Sequence, residues 1–349
     1  MVEETSQDRI LLSALAGVLA FALLGPSQLL GQDPLQPTAE PEDTIPALVG
    51  PVQPDIYVAD LSVLDGLHYV GPLRNVTRRR YSYDDQPMFT PDSRSLLYTT
   101  RYVQRSGDQN EIHRYYLSSR RETRITRSAE SEFSPMPIPG DRALSAIRVE
   151  TDSIQRLWRF TMEGMDGEVL FPNVDAVGYY SWGSESSVLL YVTGLPPSIR
   201  IGDLTTGLTQ SVAEDVGRSL NKIPNRNAWS FVERAAPDES WINEVNIGTG
   251  EVRRIVSAVG GGEFHAWTPA GVLLMALGSR IYQWDPERTG PDPSDPERFD
   301  LDPPDPDRGP DWQPIADLED FGVTVGRITV SPDGSTIAIV GNPIQDSAR

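Results

Sequence analysis

The chain has 349 residues, 38% apolar and 8% aromatic, which is enough to bury the core of one large all-β domain or two average ones. Fifty acidic against 30 basic residues give a formal charge of −20, which repels nucleic acid and anionic lipid and suits solubility or high salt. Cysteine is absent, which excludes disulfides, thiolate nucleophiles, Cys-based zinc sites and a lipoprotein anchor, while 30 prolines and 29 glycines favour many turns over long helices.

Residues 10–24, ILLSALAGVLAFALL, form one uncharged apolar run. It is short for a membrane span and has the length of a signal-peptide core. The preceding MVEETSQDR is more acidic than basic, unlike an ordinary secretory leader. Three readings stay open for residues 1–32: a signal peptide cut after Gly31 or Gln32, an uncleaved membrane anchor through 10–24, or a buried helix. Residues 33–54 hold six prolines and several acids and read as an extended tether. This order expects an exported protein, in the periplasm or on the cell surface.

From residue 55 the chain alternates two kinds of hairpin. The first outer hairpin is DIYVADLSVLDGLHYV (55–70). Arg78-Arg79-Arg80 follows it, close in sequence to Asp84-Asp85, and reads as local charge pairing or as an anion patch. Next comes an apolar residue, Ser or Thr, Pro, Asp, a small pair and an apolar run: MFTPDSRSLLY, from Met88. Proline presets φ at the second turn position, and Asp with Gly or Ser suits the third and fourth, so the phrase is a hairpin turn between buried strands. It recurs as MPIPGDRALSAI, YYSWGSESSVLLY, NKIPNRNAWSFV, HAWTPAGVLLMA and ITVSPDGSTIAIV, with Phe89, Pro137, Trp182, Ile223, Trp267 and Val330 in matching places. Between these lie further outer hairpins at 111–126, 157–171, 198–212, 242–256 and 280–318. The fifth is split by an acidic, proline-rich insertion at 285–311. Seven aspartates between 292 and 311 could bind Ca²⁺, but proline after most of them enforces an extended chain and the spacing is not that of an EF-hand.

Six units of four strands predict an all-β, six-bladed β-propeller over 55–345. The chain enters with an outer hairpin and leaves with an inner one, so these two halves are expected to complete one blade and close the ring. The Pro-Asp turn phrase with an aromatic or apolar residue ahead of it, clearest at Phe89-Thr90-Pro91-Asp92, Trp267-Thr268-Pro269 and Val330-Ser331-Pro332-Asp333-Gly334, resembles the TolB-like, or WD40-like PD40, β-propeller repeat. The resemblance covers roughly 55–341 and implies a propeller of the bacterial cell envelope. A TolB protein carries an α/β domain ahead of its propeller, so its particular role is not carried over.

Three histidines, His68, His113 and His265, stand far apart, and neither a His-Glu-x-x-His nor a Gly-x-Ser-x-Gly motif occurs. WGSESS (182–187) reads as a polar turn and VGGGEF (259–264) as a loop. Loops before the innermost strands approach a propeller's channel, which brings Asp84, Asp85, Gln86, Glu130, Glu132, Tyr179, Asn221, His265 and Arg327 towards one mouth. The expected partner-binding set is Asp85, Glu132, Tyr179, Asn221, His265 and Arg327, with no catalytic residue and no cofactor assigned. Such a mixed ring suits a small polar ligand, a peptide end or a divalent cation, Ca²⁺ among them. The expectation is a non-enzymatic module for an envelope protein or peptide, without nucleic acid. The alternatives are a channel-mouth enzyme, such as a metal-assisted hydrolase or lyase, or a propeller docked on a separate peptidase.

Overall fold

A computed structural model of the chain describes residues 53–78, 83–104, 107–237, 239–287 and 312–344. All of them lie in one compact unit, Ala47–Arg349. The apolar run 10–24, the tether up to residue 52, Arg79-Arg80 and the insertion from 288 to 311 fall outside the described residues. Among the described residues no helix is long and apolar enough to cross a membrane.

The expected six-bladed propeller forms, with six antiparallel sheets and two single-turn 3₁₀ segments. We number the blades 1–6 and letter each blade's strands a to d, from the channel outwards. The innermost strands are Asp84–Phe89, Ser131–Pro137, Val177–Trp182, Val216–Lys222, His265–Trp267 and Val323–Val330. In blade 5 the strands on either side of the insertion, Arg280–Trp284 and Gln313–Asp317, pair as one outer hairpin.

Ring closure follows the expected order. Strand Asp55–Leu64 pairs with the last strand, Thr336–Pro343, in register from Asp55 opposite Gly341 to Asp60 opposite Thr336. The N-terminal hairpin then runs on towards blade 5, where Gln283 Oε1 lies 2.8 Å from both the backbone N–H and the ring Nδ1 of His68. The first and last turn phrases meet at this seam: the N–H of Asp333 donates to Ser93 Oγ at 3.1 Å, across 240 residues of sequence.

The repeated phrase owes its recurrence to hydrogen bonding. In blade 6 the Ser331 hydroxyl donates to Asp333 Oδ1 (2.6 Å) and accepts the N–H of Thr336, while Asp333 also accepts the N–H of Ser335. Thr90, Asp92, Arg94 and Ser95 repeat the pattern in blade 1. The hydroxyl and carboxylate of the tight turn thereby take up its backbone N–H groups locally. The fourth turn residue takes φ near +57° at Ser93 and +75° at Gly334, which explains the preference for a small residue there.

The aromatic ahead of the turn joins neighbouring blades. Trp182 donates its indole N–H to Ser145 Oγ of the preceding blade (2.9 Å), and Trp267 does the same to Ser230 (2.8 Å). In blade 4 the structure moves the matching place by one residue: the innermost strand ends at Lys222, so Lys222, and not Ile223, stands where the tryptophans stand elsewhere. Its ammonium donates to the carbonyls of Ile223 and Arg226, taking over the turn. Close packing has its own demand at Gly183, where a Cβ would come within 2.4 Å of the fully buried Trp229 ring.

Candidate functional site

All six innermost strands line a cavity of about 90 Å³ in the channel. Five contribute the residue three places before their last, Gln86, Ser134, Tyr179, Ser219 and Arg327, and in blade 5 the matching place is Phe264, just ahead of the strand. Bulges in the innermost strands set this ring, lying between Asp85 and Met88, Phe133 and Met136, and Val325 and Arg327. A bulge re-aims a side chain. Gln86 and Ser134 hold positive φ, +58° and +53°, without being glycine. Such strain persists only where the surroundings enforce it.

Arg327 is the centre of the ring. Its side chain is only 17% exposed, and Nε lies 3.1 Å from Asp85 Oδ1. Its guanidinium sits 4.8 Å from the Tyr179 ring centroid and 4.7 Å from that of Phe264. Its terminal nitrogens make no hydrogen bond to the described residues, and Arg327 lines the cavity. Burial works most strongly against the charge, but Asp85, Tyr179 and Tyr83 together overcome it and the pKa is raised. Asp85 also accepts from the Tyr83 hydroxyl (2.5 Å) and the N–H of Gln86 (2.6 Å). Burial, reinforced by the charge on Asp85, pushes the Tyr83 hydroxyl up, so it remains a donor.

A second cation flanks the same wall. Arg218 binds Glu263 through Nε and a terminal nitrogen, both at 3.0 Å, and Arg234 reaches the same carboxylate. Burial pushes Glu263 up, but its bonds with Arg218 and the nearby arginine charges overcome this and hold it low. Three arginines thus share two carboxylates, Asp85 and Glu263, and the mouth is locally positive within an acidic chain. Two buried polar atoms on the wall, Ser134 Oγ and His265 Nδ1, have no hydrogen-bond partner among the described residues.

The six residues expected at the mouth divide by role. Tyr179 and Arg327 belong to the ring itself, and Asp85 pairs with Arg327 just outside it. Asn221 touches the wall but turns its amide to the His265 carbonyl (2.9 Å). His265 occupies the place that Tyr180 holds in blade 3, two before the tryptophan, and its Nε2 meets Ser230 Oγ (2.8 Å) as Tyr180 meets Ser145. Ser230 is fully buried and also held by Trp267, so this Ser–His contact joins blades and leaves no open nucleophile. Glu132 does not line the cavity. It lies buried beside blade 1, where Ser128 and Arg148 donate to Oε1 at 2.6 and 3.0 Å. Burial raises its pKa against those donors. Arg218, Glu263, Phe264 and Tyr83 were not among the expected residues; counting back three from each innermost strand's last residue finds Phe264.

The mouth does not fit a divalent cation. Its nearest carboxylates are engaged by arginines, and among the described residues no group of three His, Asp or Glu side chains converges.

Burial depresses His265 from 6.5 to about 4. The unfolded chain takes up this proton below about 6.5, whereas the folded chain resists until near 4. The stability tied to the neutral ring is therefore complete above about 6.5 and is lost as pH falls through that window, amounting to about 3 kcal/mol. Urea unfolding of wild type and His265→Gln across pH 4–7 is expected to show a flatter slope in the variant. Glu132 contributes with the opposite sign and cancels in the comparison. Equal slopes would remove His265 from the acid response.

No protein-family model matches the chain, and no curated protein is similar to it by sequence. Solved structures do match. A putative TolB from Agrobacterium tumefaciens superposes with a TM-score of 0.61 at 14% identity, covering 83% of this chain and 98% of that one. The fold is a six-bladed β-propeller similar to that of this TolB. TolB from Acinetobacter baumannii gives 0.50 at 12% identity, with 83% of this chain spanning 63% of that protein. An oligogalacturonate lyase solved with manganese gives 0.50 at 11%, covering 79% and 83%. These likenesses carry the architecture and leave the chemistry to the residues of the channel.

Proposed function

We propose that this TolB-like propeller is a binding module of the bacterial cell envelope. Its channel mouth takes a carboxylate-bearing end of a protein or peptide partner. The observation that carries the reading is Arg327, which lines the cavity stacked between Tyr179 and Phe264 with its terminal nitrogens free of hydrogen bonds to the described residues. A guanidinium fork of this kind matches a carboxylate in two hydrogen bonds. The Ser134 hydroxyl supplies a further donor, and aromatic walls hold the cation in place without neutralising it. A space of about 90 Å³ admits an end group and not a whole ligand, which suits a partner whose body stays outside. Export rests on the apolar run at 10–24 followed by the tether.

Arg327→Met keeps the stacking volume and removes the fork. Full-length wild type is expected to capture a partner from native envelope extract, and the variant to bind that partner roughly tenfold to a thousandfold more weakly. Equal binding by both proteins would end this reading.

A further inference from the structure

Charge is distributed unevenly along this chain. Residues 74–127 carry twelve arginines and six acidic residues, whereas the remainder carries 18 basic and 44 acidic ones. The six acids of this stretch lie mostly inside it or are already engaged. Glu111 is fully buried and accepts from Arg124 and Thr126. Asp85 serves Arg327, Asp108 lies near Arg101, and Glu122 meets the ring of His113. Asp84 is fully buried. Asp92 spends its Oδ1 on the Thr90 hydroxyl and the N–H of Arg94, so it screens the neighbouring arginines without pairing with them.

Four arginines are left over at one end of blade 1: Arg94 in the first turn, Arg114 on strand Gly107–Tyr116, and Arg120 and Arg121 in the following turn. None has a carboxylate within ion-pair distance among the described residues, and Arg114 Nε is buried with no hydrogen-bond partner. The backbone brings them together, because Leu117 N–H donates to the Arg94 carbonyl and Arg120 N–H to the Tyr116 carbonyl. The guanidinium groups of Arg114 and Arg121 both lie over the Tyr116 ring, at 4.7 and 5.2 Å from its centroid. Two cations on one ring with no acid between them raise each other's energy, and an anion supplied from outside would relieve it.

Beside this cluster a groove of about 830 Å³ runs between blade 1 and the closing blade 6. Leu73, Leu117 and Val58 give it apolar walls, and Arg74 and Arg94 edge it. Asp60 is the one carboxylate among its lining residues. The groove is lined by residues of the outer strands and turns of blades 1 and 6, whereas the Arg327 cluster lines the central channel, and the two share no lining residue.

We propose that the rim of blade 1 docks a short acidic peptide segment, its carboxylates on Arg94, Arg114, Arg120 and Arg121 and its apolar side chains in the groove beside Leu73 and Leu117. The charge distribution favours a short segment over a membrane or a nucleic acid. Either of those would bring a broad anionic surface against the acidic remainder of the chain, whereas a peptide touches only the basic rim.

The experiment uses the full-length protein and a labelled peptide of alternating glutamate and leucine, followed by fluorescence anisotropy. A second peptide with glutamine for every glutamate is the control. Binding of the acidic peptide is expected, at least about tenfold weaker for the glutamine peptide and for Arg120→Glu/Arg121→Glu, and falling steeply between about 50 and about 500 mM salt. Both substituted positions are exposed turn residues, so the variant keeps the fold, which a thermal melt checks. Arg120 and Arg121 lie on the rim and line no part of the channel, so loss of binding in that variant assigns the peptide to this surface. No binding, binding indifferent to the arginine exchange, or tighter arginine-dependent binding to phosphatidylglycerol vesicles or to an oligonucleotide would each overturn the proposal.

Discussion

Removing residues 55–76 is expected to abolish the cooperative monomer. The deletion takes away the third strand of blade 6, with six register pairs to Thr336–Gly341, and strips cover from Ile337, Ile339 and Val340, all at most 1% exposed. It also deletes Ile56, Val58, Ala59 and Leu61 from the core, each at most 6% exposed. At about 1.5–3 kcal/mol for each large apolar side chain, with the ladder hydrogen bonds in addition, the loss is on the order of 5–10 kcal/mol. A domain holds about 5–15 kcal/mol in total. The remaining sheet edge would be long, apolar and unpaired, which favours association. Size-exclusion chromatography and a thermal melt decide the matter. The expected result is aggregation or oligomers with no cooperative transition, and a monomer with unchanged Tm would show that the ring closes by other means.

Asp85→Ala is expected to be the most damaging single substitution at the channel mouth. Three donors lose their acceptor at once: the Tyr83 hydroxyl, the N–H of Gln86 and the Arg327 guanidinium. Arg327 would then stand largely buried and uncompensated between two rings. Breaking such a pair from one side costs about 3–5 kcal/mol, whereas removing both charges is far milder. For a domain of this size that corresponds to a Tm lowered by roughly 5–15 °C. The double variant Asp85→Ala/Arg327→Met is expected to recover a large part of the loss, and the cycle of four melts isolates the coupling. Strictly additive effects would mean that Asp85 supports the loop by itself and does not hold Arg327.

Why the fold could be read in advance while half of the expected site could not is visible in particular residues. The turn at Ser331-Pro332-Asp333 satisfies its own polar groups within six residues, so its sequence must recur wherever the turn does. Channel positions obey no such local rule. Bulges shift the register of the innermost strands by a residue, and one residue decides whether a side chain faces the channel or the next blade. In blade 4 the phrase aligns on Ile223 while the strand ends at Lys222, so the expected Asn221 turns its amide to blade 5 and the ring residue is Ser219. His265 was expected at the mouth because it stands at the start of an innermost strand, yet it occupies the joining position that Tyr180 fills two blades earlier.

The sequence by itself determined the number of blades, the order of hairpins and the way the ring closes, because these depend on turn chemistry and strand periodicity that act over a few residues. Only the tertiary structure decided which charges meet. Arg327, Asp85, Tyr179 and Phe264 come from four blades, and Arg94 stands twenty residues from Arg114 and still shares one rim with it. Coulomb and cation–π energies fall off within a few ångströms, so they follow distances that no pattern along the chain encodes.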